Sequence, residues 1–229
     1  MLKYIKQIQK KRSIKRLSQE DAEQTFTRYY KRNKWGDKDS ASGKGSNLEQ
    51  TATLRQELPG FLEELGVTTL LDAPCGDFFW MSKLDLGQIT YIGGDIVPDL
   101  VKANNERFGT KGREFRVMNL METQLPKVDL IFCRDCLVHL CFSDIAAAIK
   151  NIKASGSTWL LTTTFPEVPN NDDILTGQWR RLDMCKPPFN FPAPDKVIDE
   201  KLTAEGTRNT DKSMGLWRIA DLPELDLPN

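Results

Sequence analysis

The sequence predicts an α/β fold: a doubly wound, mostly parallel sheet with helices on both faces. Three observations predict it. From residue 68 onward, short apolar runs (TTLLDAPC, YIGGDIV, FRVMNL, VDLIFCRD, STWLLTTTF) alternate with helical patterns such as PDLVKANNERFG and LCFSDIAAAIKNIKASG. The runs are apolar throughout, as strands buried on both faces must be, and strand–helix alternation implies parallel pairing with crossover helices. With 229 residues, 39% hydrophobic and 28% charged, the chain can also bury a sizeable core.

Taken in order, residues 1–19 carry Lys3, Lys6, Lys10, Lys11, Arg12, Lys15 and Arg16 and no acid. Leu2, Ile5, Ile8, Ile14 and Leu17 recur at helical spacing, so a basic amphipathic helix is expected. Such a helix docks on the domain by its apolar face, or makes a peripheral contact with a membrane surface or anionic partner. Residues 33–47 are polar and Gly/Ser-rich around Trp35 and read as a loop. Residues 1–46 therefore read as a basic helical extension plus loop, and 47–229 as the main domain. Within it, NLEQTATLRQELPGFLEELG has helical periodicity, with Asn47 as N-cap and Pro59-Gly60 as an interruption. Beyond the five strands, residues 166–212 are rich in proline and read as an irregular insertion of the kind that often covers a site. MGLWRIADL supplies a last strand.

The totals exclude several classes. Lys plus Arg equals Asp plus Glu at 32 each, so the balance names no polyanionic partner. Five cysteines (75, 133, 136, 141, 185), an odd number, point to a reducing, cytoplasmic location. Cys133-x-x-Cys136 sits at a strand end with no second pair, so no zinc or other metal site is expected. No apolar stretch approaches the roughly 20 residues that span a bilayer, and Lys and Arg interrupt any leader-like core.

The turn LDAPCGDFFWM after the first strand carries the functional signal. Ligands of open α/β sheets bind at the carboxyl ends of the strands. A dinucleotide site would show Gly-x-Gly-x-x-Gly; here only Gly76 stands, followed by Asp77, an acid that repels a pyrophosphate and suits a cationic ligand. The second strand ends at Asp95, at about the 20-residue spacing expected of an acid that binds ribose hydroxyls. A cationic nucleoside without phosphates, such as S-adenosylmethionine, fits.

LLDAPCGDFFWM, YIGGDIV, FRVMNLMETQLPKVDLIFCRDCLVHL and WLLTTTF, in that order and spacing, resemble the class I S-adenosylmethionine-dependent methyltransferases. The likeness covers roughly residues 47–165 and implies a Rossmann-like sheet of about seven strands. KPPFNFPAP and SMGLW resemble a branch that modifies glycans and natural products. By resemblance, Asp72, Ala73 and Gly76 line the methionine end, with Asp77 near its ammonium. Asp95 holds the ribose and Ile96 lies against adenine. Asn119 stands where the family has an acid facing the adenine amino group, with Leu120 beside it. The backbone around Cys133 and Arg134 faces the methionine, and loop 40–46 with Trp35 closes over the cofactor.

Methyl transfer to a weakly acidic hydroxyl needs alignment and a base. His139, the single histidine, follows Asp135 by four residues after the fourth strand; one helical turn would put both on one face. Either acts as base, or Asp135 orients His139. Trp179, Arg180, Arg181, Phe189 and Phe191 form an acceptor wall, with arginines for acidic groups and aromatics for sugar faces. The expected acceptor is a small molecule or glycan, with a sugar hydroxyl as the leading reading. Alternatives are N-methylation of an amine or protein side chain, and a non-catalytic binding module. Lys186-Pro-Pro-Phe189 differs at its first residue from the Asn-Pro-Pro-Phe of amino-directed nucleic-acid enzymes, and with zero net charge it argues against a nucleic-acid substrate. Several of these residues also have simpler readings: Asp72 as a helix cap, Cys75 as a packed side chain, Phe78, Phe79 and Trp80 as core.

Overall fold

The computed structural model describes residues 11–201 and 210–227. Seven strands form one sheet: β1 (Thr69–Asp72), β2 (Thr90–Asp95), β3 (Arg113–Val117), β4 (Leu130–Cys133), β5 (Trp159–Thr164), β6 (Lys196–Asp199) and β7 (Ser213–Arg218), in the order β3-β2-β1-β4-β5-β7-β6. β1 to β5 run parallel; β7 is antiparallel to both β5 and β6. The order reverses between β1 and β4, the point at which an open α/β sheet leaves a crevice at its carboxyl edge.

Four helices have defined limits: α1 (Ala22–Lys31), α2 (Ala52–Glu64), α3 (Pro98–Phe108) and α4 (Phe142–Ala154). Successive strand residues face opposite sides, and the chain uses this fully. Leu71, Ile131, Leu160 and Trp217 join one core with Ile145, Ala148, Ile149 and Ile152 of α4. Their neighbours Leu70, Leu130, Leu161 and Leu216 join another with Leu54, Leu58 and Leu62 of α2 and Val101 of α3. Each fully buried leucine contributes about 1.5–3 kcal/mol of apolar transfer, so the doubly apolar strands are what demand cover on both faces.

Three expectations change. The second helix starts at Ala52 behind Thr51, whereas the Asn47 side chain accepts from the Gln50 amide ahead of the helix. It also runs straight through Pro59, because Leu54, Leu58 and Leu62 are all fully buried on one stripe and that burial outweighs the lost hydrogen bond. The Pro-rich insertion contains an edge strand, β6, so it is not irregular throughout.

Helix α1 begins with a capping box: the Asp21 carboxylate accepts from the Gln24 amide, and the Gln24 side chain accepts from the Asp21 amide. Ahead of it residues 11–17 are helical, with Leu17 buried; the basic stretch 1–10 lies outside the described residues. Tyr29 of α1 is buried and donates its hydroxyl to the Gly177 carbonyl at 2.9 Å. Gly177 has a φ of 96°, and a Cβ there would sit 2.5 Å from Thr25, so only glycine lets α1 approach this closely. Among the described residues no helix is long and apolar enough to cross a membrane.

Candidate active site

A cavity of about 920 Å³ opens at the carboxyl ends of β1, β2 and β4, roofed by α1 and the loop that follows it. Two carboxylates form its floor. Asp72 ends β1, is buried, and accepts the Tyr91 hydroxyl at 2.5 Å. Burial pushes its carboxyl up to about 7, against the opposing effect of the Tyr91 bond. Asp95 ends β2 and accepts from the amides of Gly76 (3.1 Å) and Val97 (3.0 Å). Burial nevertheless raises it to about 6. Both groups carry an electrostatic deficit that a positively charged or hydroxyl-bearing ligand would relieve.

The turn between them is tight. Gly76 has a φ of 53°, and a Cβ on it would lie 2.2 Å from the Ser42 hydroxyl. Asp77 is turned toward the 40–46 loop. Its carboxylate accepts from the Ala41 amide (2.7 Å) and the Ser40 and Ser42 hydroxyls (3.0 and 3.3 Å), while its own amide donates to Ser42 at 3.0 Å. Ile96, Asn119 and Leu120 line the far end of the cavity; Asn119 accepts the Met121 amide through its Oδ1.

A second cluster sits after β4. The Arg134 guanidinium is buried, bonds Glu200 through two nitrogens (3.0 and 2.6 Å), and lies 3.3 Å from Asp135. Lys212, also buried, reaches Asp135 at 2.6 Å and Glu200 at 3.5 Å. Burial alone would raise the Asp135 carboxyl, but Lys212 and then Arg134 pull it down to about 2. A carboxylate so firmly ionised and paired is a weak proton acceptor.

His139 lies on the 3₁₀ turn Leu137–His139 and lines the cavity. Its Nδ1 is 2.8 Å from the Gln178 carbonyl oxygen, which can only accept, so Nδ1 carries the hydrogen. Nε2 is then the basic nitrogen, and no hydrogen-bond partner for it stands among the described residues. Burial lowers the imidazole below its ordinary value and keeps it neutral. The rings of Trp35 and Phe26 stand edge-on to it, with centroids at 6.2 and 6.4 Å.

The family model described as a methyltransferase domain matches residues 71–155, from β1 through α4. Residues 71–155 are thus similar to a methyltransferase domain. No curated protein matches the sequence. Among solved structures, magnesium protoporphyrin IX methyltransferase from Synechocystis, with bound S-adenosylmethionine, superposes with a TM-score of 0.53 at 14% identity, over 87% of this chain and 97% of that chain. Human N-acetylserotonin methyltransferase in complex with S-adenosylmethionine gives 0.50 at 11% identity, over 77% and 60%. The cyclase SpnF gives 0.52 at 19% identity, over 71% and 69%. At such identities the likeness is one of fold.

Around this matched region the sequence-derived residues divide. Asp72, Ala73, Gly76, Asp77, Asp95, Ile96, Asn119, Leu120, Arg134, Asp135, His139 and Trp179 all line the cavity, as do Trp35 and residues 41–46. Cys133 does not: it is fully buried in the sheet core, where its carbonyl accepts from Thr162. Phe189 and Phe191 are core too, packed edge-on against Phe142 and Trp217. Arg181 pairs with Asp211 at 3.3 Å and is not on the wall. Arg180 points at backbone carbonyls. Asp135 does not orient His139; Gln178 does. The turn that carries His139 is 3₁₀, not a continuing α-helix. Cys75 is a packed thiol, and Phe78 is core, whereas Trp80 also reaches the cavity beneath Arg134, its ring centroid 5.6 Å away.

Sequence reasoning missed Tyr91, Gln178, Glu200, Lys212 and the aromatic face of α1 (Phe26, Tyr29, Tyr30). The capping box Asp21–Gln24, followed by aromatics at helical spacing, was a usable signal for α1. Gln178 acts through its main chain and leaves no signal.

Proposed function

We propose that this methyltransferase moves the methyl group of S-adenosylmethionine onto a hydroxyl of a sugar or another ring-bearing small molecule, with His139 taking the hydroxyl proton. The observation that carries the reading is a neutral imidazole whose Nδ1–H is committed to Gln178 and whose Nε2 is left without a protein partner on the cavity wall. That is the arrangement of a general base.

The residues on the floor fit the cofactor. S-adenosylmethionine when bound supplies an electrophilic methyl on a sulfonium, and its charge would stabilise the ionised form of Asp72, whose carboxyl is otherwise held up to about 7. Asp95 would accept ribose hydroxyls, a role that its position at the end of β2 supports. Ile96, Asn119 and Leu120 would take the adenine, and Arg134 would stay in its ion cluster, shaping the floor. The 40–46 loop, latched by Asp77, covers the site and excludes water. Trp179 keeps 47% of its surface exposed beside Gln178 and meets Phe165 edge-on, which supports it as a platform for an acceptor ring. Two of the similar structures were solved with this cofactor, and the presence of a cyclase among them means that fold alone does not choose the reaction.

The test is a methyl-transfer screen with isotope-labelled S-adenosylmethionine against sugars, phenols, carboxylic acids and amines. The reading expects label on a hydroxyl, appearing about 10²- to 10⁴-fold more slowly with His139→Gln. Label on amines alone would replace it with N-methylation.

A further inference from the structure

Arg180, which the sequence placed on the acceptor wall, is aimed the other way. Its NH1 donates to the Leu137 carbonyl at 2.8 Å, its NH2 to the Leu140 carbonyl at 2.7 Å and its Nε to the Asp172 carbonyl at 3.1 Å. Its own amide donates to the Val138 carbonyl at 3.1 Å. Leu137 and Leu140 flank His139 on either side, and both are buried, so water cannot easily serve their carbonyls. Asp172 belongs to the segment that runs past this turn and presents the Gln178 carbonyl to His139. A further bond, from the Gly177 amide to the His139 carbonyl at 2.8 Å, ties the same two pieces of chain.

We propose that Arg180 is a positioning residue: by holding the Leu137–Leu140 turn and the 172–180 segment as one unit, it fixes His139 with hydrogen on Nδ1 and the basic nitrogen on the cavity. This rests on the reading of His139 as the base. The fork geometry is what qualifies arginine, since three carbonyls in different directions need several donors in a rigid plane. Lysine offers one ammonium on a flexible stem and reaches fewer of them at once. The charged groups that act on His139 are Asp135, Arg180 itself and Lys212, and the rings of Phe26 and Trp35 stand edge-on to it.

The chain has a single histidine, so its imidazole ¹⁵N spectrum reports His139 with no assignment problem. For the full-length wild type we expect a pyrrole-type Nδ1 and a pyridine-type Nε2 at neutral pH, with a titration midpoint below the ordinary imidazole value. In Arg180→Lys, with circular dichroism and S-adenosylmethionine affinity unchanged, we expect mixed tautomers, a midpoint moved up, and kcat down by about 10- to 100-fold, the scale of a misplaced catalytic group. A folded Arg180→Lys with wild-type tautomer, midpoint and kcat overturns the proposal, as does a wild-type spectrum with hydrogen on Nε2. Arg180→Met, if it folds, should go further in the same direction. His139→Gln with full turnover would instead sink the base assignment, while the spectra would still say whether Arg180 sets the ring.

Discussion

The Nδ1 of His139 lies 2.8 Å from the carbonyl oxygen of Gln178, a contact in which only the imidazole can donate. It commits one nitrogen and releases the other. His139→Gln should therefore lower kcat by about 10²- to 10⁴-fold, the range for loss of a general base, while the affinity for S-adenosylmethionine stays put. Because burial depresses the imidazole, the acidic limb of kcat/KM for the acceptor, measured at saturating S-adenosylmethionine, should fall below the ordinary histidine value. A limb at or above that value, measured with a hydroxyl acceptor, would contradict the assignment.

Asp72 and Asp95 predict a proton exchange on binding. In the free protein burial holds these carboxyls up to about 7 and about 6, so Asp72 is largely protonated below pH 7. A cationic ligand favours the carboxylate and expels the proton. Calorimetry at pH 6.5 in buffers of different ionisation enthalpy should show proton release, much reduced in Asp72→Asn, and affinity should weaken as pH falls through 7 and 6. The stability sign follows from the same shift. A folded carboxyl raised above its unfolded value contributes stability at low pH that is lost as pH rises through about 7. Asp72→Asn should accordingly raise the Tm of the free protein more at pH 8 than at pH 5.

The Asp77 carboxylate latches the loop that roofs the site. Asp77→Asn removes the charge and one acceptor, and bonds to a charged group contribute about 1.5–3 kcal/mol. S-adenosylmethionine affinity should drop about tenfold or more on that scale, and tryptic cleavage after Lys44 should accelerate. Unchanged cleavage and affinity would mean the loop is held by other contacts.

Glu200 joins Arg134 and Lys212 in a buried cluster. Removing one partner leaves buried positive charge uncompensated, at a cost of about 3–5 kcal/mol. Glu200→Ala should show that loss in denaturant unfolding. A loss near zero would indicate that water enters the cluster.

How much of this was legible depended on whether the chemistry was local in sequence. The cavity floor was: Asp72 and Asp95 sit at strand ends, with Gly76 in the turn after the first, and apolar runs place strand ends well. Ala73, Ile96 and Leu120 came from the resemblance, and all three line the cavity. Cys133 and Arg134 are neighbours with opposite fates, because strand period sends one into the core and leaves the other at the crevice. Arg180 and Phe189 were misread for a different reason. The segment from 166 to 195 has no repeating period, so nothing in the sequence says which side chains turn inward. Proline inside α2 was also misjudged, since a leucine stripe that is fully buried outweighs a local breaker. The partners of Asp135 and His139 come from residues 77 and 39 positions away, respectively, and only folding brings them together.

The most direct test of the account is a calorimetric titration of the wild type and Asp95→Ala with S-adenosylmethionine. The account predicts micromolar-range binding by the wild type and its loss in a folded Asp95→Ala. Binding that survives in the variant, or no binding by a folded wild type with or without hydroxyl acceptors present, would contradict it.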